Sequence, residues 1–200
     1  MTLNALAIFA HPDNQQSLNA GLLECTKQAC KDAGANLTIN DLYQKEFQPV
    51  LTAEDLAGSF SGNVAEDVQQ EQQLVANADV IIIHHPVFWF DRPAILKGWF
   101  DRVFTSGFAF TMSENGTEGL LTGKKARVVQ TAGTPKKFYQ ALEANQYPHT
   151  GIERGTLSFC GFEAQTLTHY NIFAVDNASR EQMKKDTYNF VLQTLVNQKR

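Results

Sequence analysis

Two clusters of residues in this chain could do chemistry. The first runs from His84 to Thr111 and holds Phe88-Trp89-Phe90, Trp99, Phe100, Phe104 and Phe108-Ala-Phe110-Thr111. Aromatic faces and edges at that density can grip a flat molecule. The second, His11-Pro-Asp-Asn-Gln-Gln-Ser17-Leu18-Asn19, is polar and leads into apolar residues at helical spacing. A helix opening there would aim its unpaired amides and the positive end of its dipole at an anion, and phosphate is the obvious guest. The loop lacks Gly-x-Gly-x-x-Gly and Gly-x-x-x-x-Gly-Lys-Ser/Thr, so neither a dinucleotide fingerprint nor a nucleoside-triphosphate loop is supported. His84 and His85 are neighbours in a strand-like run and therefore face opposite sides, so no metal site is read from them.

The elements that must position these clusters alternate between strand and helix. Leu6–Ala10 and Val80–His84 are β-branched or apolar runs too short for helices, as expected of strands buried on both faces. Pro86 ends the second of these, because it can neither donate to a ladder nor let the residue before it turn helical. Leu37–Asp41, Arg127–Thr131 and Phe162–His169 supply three further strands. Helices are predicted from Leu18 through Ala33 with Gly34 as stop, from Val64 to Ala78, from Pro93 onward, briefly at 151–159, and from Ser179 to Val196. Residues 42–63 carry no assignable pattern, and Gly116 to Lys125 suggest a loop or hairpin. On the helix after Pro93, Ile95, Trp99 and Val103 form one apolar row and Leu96, Phe100 and Phe104 the next. That stripe is wider than packing on a sheet requires, and part of it is expected to face another subunit.

Five such repeats predict an α/β fold, a doubly wound parallel five-stranded sheet of order 2-1-3-4-5 with helices on both faces. In that order the winding reverses between strands 1 and 3, leaving a crevice at their carboxyl ends. The loops at this crevice are His11–Asn19 and Pro86–Phe90. A phosphate-bearing tail joined to a planar ring would suit both, as a flavin does. From the loops alone, a different ligand or none is equally compatible.

The chain has 200 residues and a formal net charge of −4, enough to bury one core and without the basic patch that nucleic acid or an anionic membrane would want. One domain, residues 1–200, is expected. The apolar N-terminus lacks a basic region and a small-residue cleavage site, and no run is long enough to span a membrane. Three cysteines, Cys25, Cys30 and Cys160, without a Cys-x-x-Cys pair suit a reducing compartment such as the cytoplasm.

The residues quoted so far carry a resemblance. His11 with Ser17-Leu18-Asn19, Pro86–Phe90, Pro93–Phe104, Gly107–Phe110 and Phe159-Cys-Gly-Phe162 resemble, in the same order, the NAD(P)H:quinone oxidoreductase family of flavodoxin-like flavoenzymes. Members of that family include ancillary quinone reductases of potassium efflux systems. Residues Glu114 to Lys125 also resemble the flavin azoreductases.

Position by position, the resemblance implies flavin phosphates near His11, Ser17, Leu18 and Asn19, and the ring against Pro86, Val87, Phe88, Trp89 and Phe90. Thr131, Ala132, Gly133 and Thr134 match the loop at the ring's polar edge. Tyr139 matches a tyrosine that donates to the flavin, with His149 its proton-relay partner, and Arg180 matches an arginine at the far end of FAD. Trp89, Phe90, Phe108, Phe110, Thr111, Met112 and Phe159 would wall a slot shared by nicotinamide and quinone, some of them from a second subunit.

The implied activity is two-electron, ping-pong hydride transfer from NADH or NADPH through FAD to a quinone, in a cytoplasmic homodimer. FMN is the alternative cofactor, since much of the insertion that FAD-binding members carry around residues 50–65 is absent. The alternative functions are azo- or nitro-compound reduction, and service as a flavin-binding regulatory subunit docked on a membrane transport protein. No nucleic acid, membrane insertion or metal is implied.

Overall fold

A computed structural model describes residues 2–114, 116–141 and 150–199. In chain order the elements are β1 (Asn4–Phe9), α1 (Leu18–Asp32), β2 (Asn36–Asp41), α2 (Ala53–Ser61), α3 (Glu66–Asn77), β3 (Val80–Pro86) and α4 (Ala94–Val103), then β4 (Phe110–Ser113), β5 (Gly116–Gly119), β6 (Lys125–Thr131), α5 (Lys136–Ala141), α6 (Thr150–Ser158), β7 (Glu163–His169) and α7 (Asn177–Gln198). The main sheet is wholly parallel, in the order β2-β1-β3-β6-β7. With β4 and β5 set aside as a separate antiparallel hairpin, this is the expected 2-1-3-4-5 winding.

Alternate residues of the central strand serve two cores. Val80 and Ile82 pack with Leu22, Ala29 and Cys30 of α1 and Val191 and Leu195 of α7. Ile81 and Ile83 face the other way, toward Val75 of α3 and Leu96, Trp99, Phe100 and Val103 of α4. Because α1 and α7 cover one face and α3 and α4 the other, β3 is buried throughout, as its unbroken apolar run requires.

Most of the wide stripe on α4 is used within this chain, with Ile95 left half-buried. Leu96, Trp99, Phe100, Val103 and Phe104 are all buried inside this chain, so they do not face another subunit. The rings of Trp99, Phe100 and Phe104 lie 5.0–5.5 Å apart with steep interplanar angles, and Phe104 stacks on Phe162 at 6.3 Å. Such edge-to-face packing adds about 0.5–1.5 kcal/mol per pair beyond burial. The extra width is met by the connection over residues 42–52, which the sequence left unassigned. Gly98 lets that connection close on α4, since a Cβ there would sit 1.9 Å from the Pro49 carbonyl oxygen.

Arg102, at the last turn of α4, donates to the Gln48 carbonyl, to Asp55 of α2 and to Asp67 of α3. This guanidinium pins α2, whose own start is a capping box between Thr52 and Asp55. Under the same connection, the buried carboxylate of Glu71 accepts from Trp99 Nε1 at 2.7 Å, from Asn40 and from Lys45. Removing Arg102 would leave the buried Asp55 carboxylate uncompensated.

Candidate functional site

Three loops converge at the carboxyl ends of β1, β3 and β6. The amide of Ala10 donates to the His84 carbonyl at 2.9 Å, and the amide of Val87 donates to the Thr131 carbonyl at 2.7 Å. The buried side chain of Asn19 crosses from α1 to β6, its Nδ2 donating to Thr131 Oγ1 at 2.6 Å. His11–Asn19, Pro86–Phe90 and Thr131–Thr134 are thereby tied into one edge.

The first loop is built around Asp13, whose carboxylate accepts from the amides of Gln15 and Gln16 and is held below the usual carboxylate range by those bonds. Ser17 caps α1, accepting from the Ala20 amide at 3.1 Å while donating to the Asp13 carbonyl at 2.6 Å. No helix carbonyl precedes the amides of half-buried Leu18 and of Asn19, so both keep their hydrogens for a ligand. Asn19 Oδ1 is buried and has no partner. His11 Nδ1 accepts from the Asp13 amide at 3.0 Å, which assigns the ring proton to Nε2 and makes that nitrogen a donor. Partial burial lowers the His11 pKa, so the donor is a neutral imidazole. Together these are donor groups with little formal charge, suited to phosphate oxygens at a helix start.

The second loop is a two-residue hairpin. Phe88 and Asp91 exchange both backbone hydrogen bonds, at 2.8 and 2.9 Å, and the two residues between them are Trp89 and Phe90 with φ of 50° and 68°. Positive φ at both central positions is the type I′ arrangement, which ordinarily selects Asn-Gly. Two aromatic residues there store strain of about 1–2 kcal/mol each. The strained turn holds Trp89 94% exposed above the sheet edge. Pro86 is buried as the last residue of β3, and Val87 and Phe90 are half-buried.

The third loop adds polar groups and more rings. Thr131 and Ala132 are buried, and Gly133 and Thr134 are half-buried. Tyr139 of α5 shares a hydrogen bond with the Thr134 side chain, and burial is the main reason its pKa is raised, so its hydroxyl keeps its proton. The Tyr139 ring meets Phe90 edge-on at 5.1 Å and Tyr170 at 5.5 Å, and Phe90 also stacks near Phe138 at 6.3 Å. His149 lies outside the described residues. Half-buried Arg180 donates to the Ile172 carbonyl at 3.0 Å, bracing the turn after β7.

The remaining predicted wall residues form a second group. Phe110 packs on Phe159 at 5.6 Å, with Phe108 half-buried nearby in sequence and Thr111 and Met112 on the β4–β5 hairpin. Among the described residues no ring contact joins this group to Trp89 or Phe90. His84 bonds Thr26 of α1 while His85 turns to the Pro86 carbonyl, so the two point to opposite faces. Phe138, Tyr170 and Phe173 belong to the site and were missed. Each lies just beyond a strand's carboxyl end, which is the signal that could have found them.

The match to a family model described as a flavodoxin-like fold spans residues 3–191. A Haemophilus influenzae protein named as an uncharacterized NAD(P)H oxidoreductase is 31% identical over 90% of both chains. The Homo sapiens ribosyldihydronicotinamide dehydrogenase (quinone) is 33% identical, covering 90% of this chain and 85% of the relative. The chain belongs to the flavodoxin-like NAD(P)H:quinone oxidoreductase family. Among solved structures, the NAD(P)H:quinone oxidoreductase from Methanothermobacter marburgensis superposes on this family member with a TM-score of 0.86 at 25% identity, covering 96% of this chain and 98% of that one. Residues 86–110, over which much of the resemblance runs, span the end of β3, the strained hairpin, α4 and the start of β4.

Proposed function

We propose that this oxidoreductase is an NAD(P)H-dependent quinone reductase that works through a flavin held across the three convergent loops. The observation that carries the reading is the edge itself. Free amides at the start of α1 and an orphaned Asn19 oxygen lie beside an exposed aromatic hairpin, in one crevice. These groups fit a flavin, polar at its phosphate end and flat at its ring. His11 Nε2 and the amides of Leu18 and Asn19 would hold phosphate, with the Ser17 cap fixing their direction. Pro86 to Phe90 would back the ring, and residues 131–134 would meet its polar edge.

Bound flavin would supply two-electron chemistry, accepting hydride from NADH or NADPH and passing it to a quinone. The protein's share is placement and charge. Tyr139, with its proton retained by burial, is positioned to donate toward negative charge that grows at the polar edge. His149 is its proposed proton partner. FAD is the proposed cofactor, with FMN the alternative.

The reading includes a homodimer in which Phe108, Phe110, Thr111, Met112 and Phe159 of a second copy face Trp89 and Phe90. The three cysteines, all free, suit a cytoplasmic setting. Steady-state rates measured against NAD(P)H at several quinone concentrations should give parallel double-reciprocal lines. Intersecting lines would exclude the shared slot, and a colourless protein that takes up no flavin would remove the reading altogether.

A further inference from the structure

Trp89 is placed by its backbone alone. Its side chain is 94% exposed and, among the described residues, makes no ring contact, whereas Phe90 beside it leans on Phe138 and Tyr139. Little that Trp89 touches therefore offsets its φ of 50°. A turn with both central φ values positive keeps its strain only while the surrounding structure over-determines it. Whatever holds the ends of this turn also holds the tryptophan. Those ends are Phe88 and Asp91, and the residue that carries the chain out of the turn is Arg92.

The Arg92 side chain is only 7% exposed, although among the described residues its one carboxylate partner, Asp91, is 65% exposed. Asp91 Oδ1 accepts from the Arg92 amide at 2.7 Å and from Nε at 3.3 Å. The guanidinium lies 5.3 Å from the centre of the Phe100 ring on α4. Nη1 donates at 3.4 Å to Thr156 Oγ1 on α6, an oxygen whose own hydrogen goes to the Gly151 carbonyl at 2.9 Å. A Cβ at Gly151 would stand 3.5 Å from Nη2. One planar side chain thus bridges the exit of the hairpin, α4 and α6, and α6 hands over directly to Phe159 of the second aromatic group. Burying a cation against an exposed carboxylate is a poor way to stabilise a fold, since an apolar side chain would fill the same space without the desolvation. What the guanidinium adds is a fixed distance between three elements.

We propose that Arg92 is a positioning residue for quinone reduction, a strut between the hairpin and α6 that keeps the Trp89–Phe90 turn strained and so sets the wall against which substrate lies. The inference rests on the quinone-reductase reading above. Arg92 acts through Trp89, and a misplacement of about an ångström at such a wall is enough to lower a rate by about tenfold or more. Lysine is no substitute. Its ammonium keeps the charge but has no planar fork with which to stack on Phe100 and reach Asp91 and Thr156 together.

The chain has two tryptophans, exposed Trp89 and buried Trp99, so protein labelled with 5-fluorotryptophan gives two fluorine resonances, told apart with Trp89→Phe. Full-length wild type, Arg92→Met, Arg92→Lys and Asp91→Ala are compared with and without flavin. In Arg92→Met the Trp89 resonance should move while that of Trp99 stays and flavin uptake is unchanged. Its kcat/KM for a quinone should fall about tenfold, mostly through KM, because a displaced wall loses ground-state and transition-state binding alike. Arg92→Lys should behave as Arg92→Met does. Asp91→Ala alters an exposed side chain and should fold in any case; it should move the Trp89 resonance the same way and lower kcat/KM severalfold. An unmoved Trp89 resonance in Arg92→Met or Asp91→Ala overturns the assignment, as does wild-type kcat/KM in Arg92→Met. Wild-type kcat/KM in Arg92→Lys would give the charge to an anionic ligand and overturn the strut too. A wild type that takes up no flavin and turns over no quinone sinks the functional reading by itself, while the Trp89 resonance of the flavin-free protein still decides whether Arg92 holds the turn.

Discussion

Replacing Trp89 by asparagine should make the protein more stable and less active. Trp89 is 94% exposed, so of the roughly 150–250 Å² that a buried aromatic covers, it buries about 15 Å², and losing that costs about 0.4 kcal/mol at about 25 cal/mol per Å². Its φ of 50° costs a non-glycine residue about 1–2 kcal/mol, much of which asparagine avoids because it tolerates this region. The balance is a gain of about 1 kcal/mol, which for a domain of this size raises Tm by about 2–4 °C.

The same change removes the broadest face of the hairpin, and kcat/KM for a quinone should fall at least about tenfold, equivalent to about 1.4 kcal/mol of lost transition-state binding. Differential scanning calorimetry and quinone-reductase kinetics on one preparation read both effects. A Tm lowered by several degrees would show that Trp89 is a packing residue. Unchanged kcat/KM at a raised Tm would show that the strained turn serves no substrate. Either result refutes the argument that strain is kept here for function.

Acid should weaken the fold through buried histidines. Burial pushes His84 down to about 3, and His85 and His169 to about 4, from an ordinary value of 6.5. Below pH 6.5 the unfolded chain binds protons that the folded one refuses, so stability present at neutral pH is lost as pH falls toward 4. At about pH 5 each histidine accounts for up to about 2 kcal/mol, and urea midpoints that stay flat from pH 7 to 5 would contradict this. Asn19→Ala breaks the buried bond to Thr131 and should cost about 1–3 kcal/mol by denaturant titration while weakening flavin uptake; a neutral result on both would detach Asn19 from the site. Tyr139→Phe keeps the rings against Phe90 and Tyr170 and removes only the hydroxyl. Its Tm should move little while kcat drops about tenfold or more, and wild-type kcat would leave Tyr139 a packing residue.

The fold was legible because β3 states its own burial. Val80 to Ile83 can only be a strand covered on both faces, and once five strands alternate with helices the winding leaves one edge for ligands. The start of α1 was legible for a similar reason, since Ser17 before an apolar helical row is a local signal. Other features depend on contacts distant in sequence. The width of the α4 stripe is explained only when Pro49 closes on Gly98 and Arg102 gathers Asp55 and Asp67, partners 35 to 47 residues away. That long-range packing is why most of the stripe is buried within the chain, with Ile95 left half-buried. The I′ turn was hidden because Trp-Phe is the opposite of the sequence such a turn prefers. Phe173 went unnoticed because its partner, Gly133, belongs to another loop.

The most direct measurement is a crystal structure of the full-length protein grown with flavin. The ring should lie against Pro86 to Phe90, with phosphate on the amides of Leu18 and Asn19 and the polar edge toward residues 131–134. A flavin bound elsewhere, for instance in the outer groove between Asn14, Leu23, Ile39 and Lys45 that carries no aromatic residue, would contradict the account.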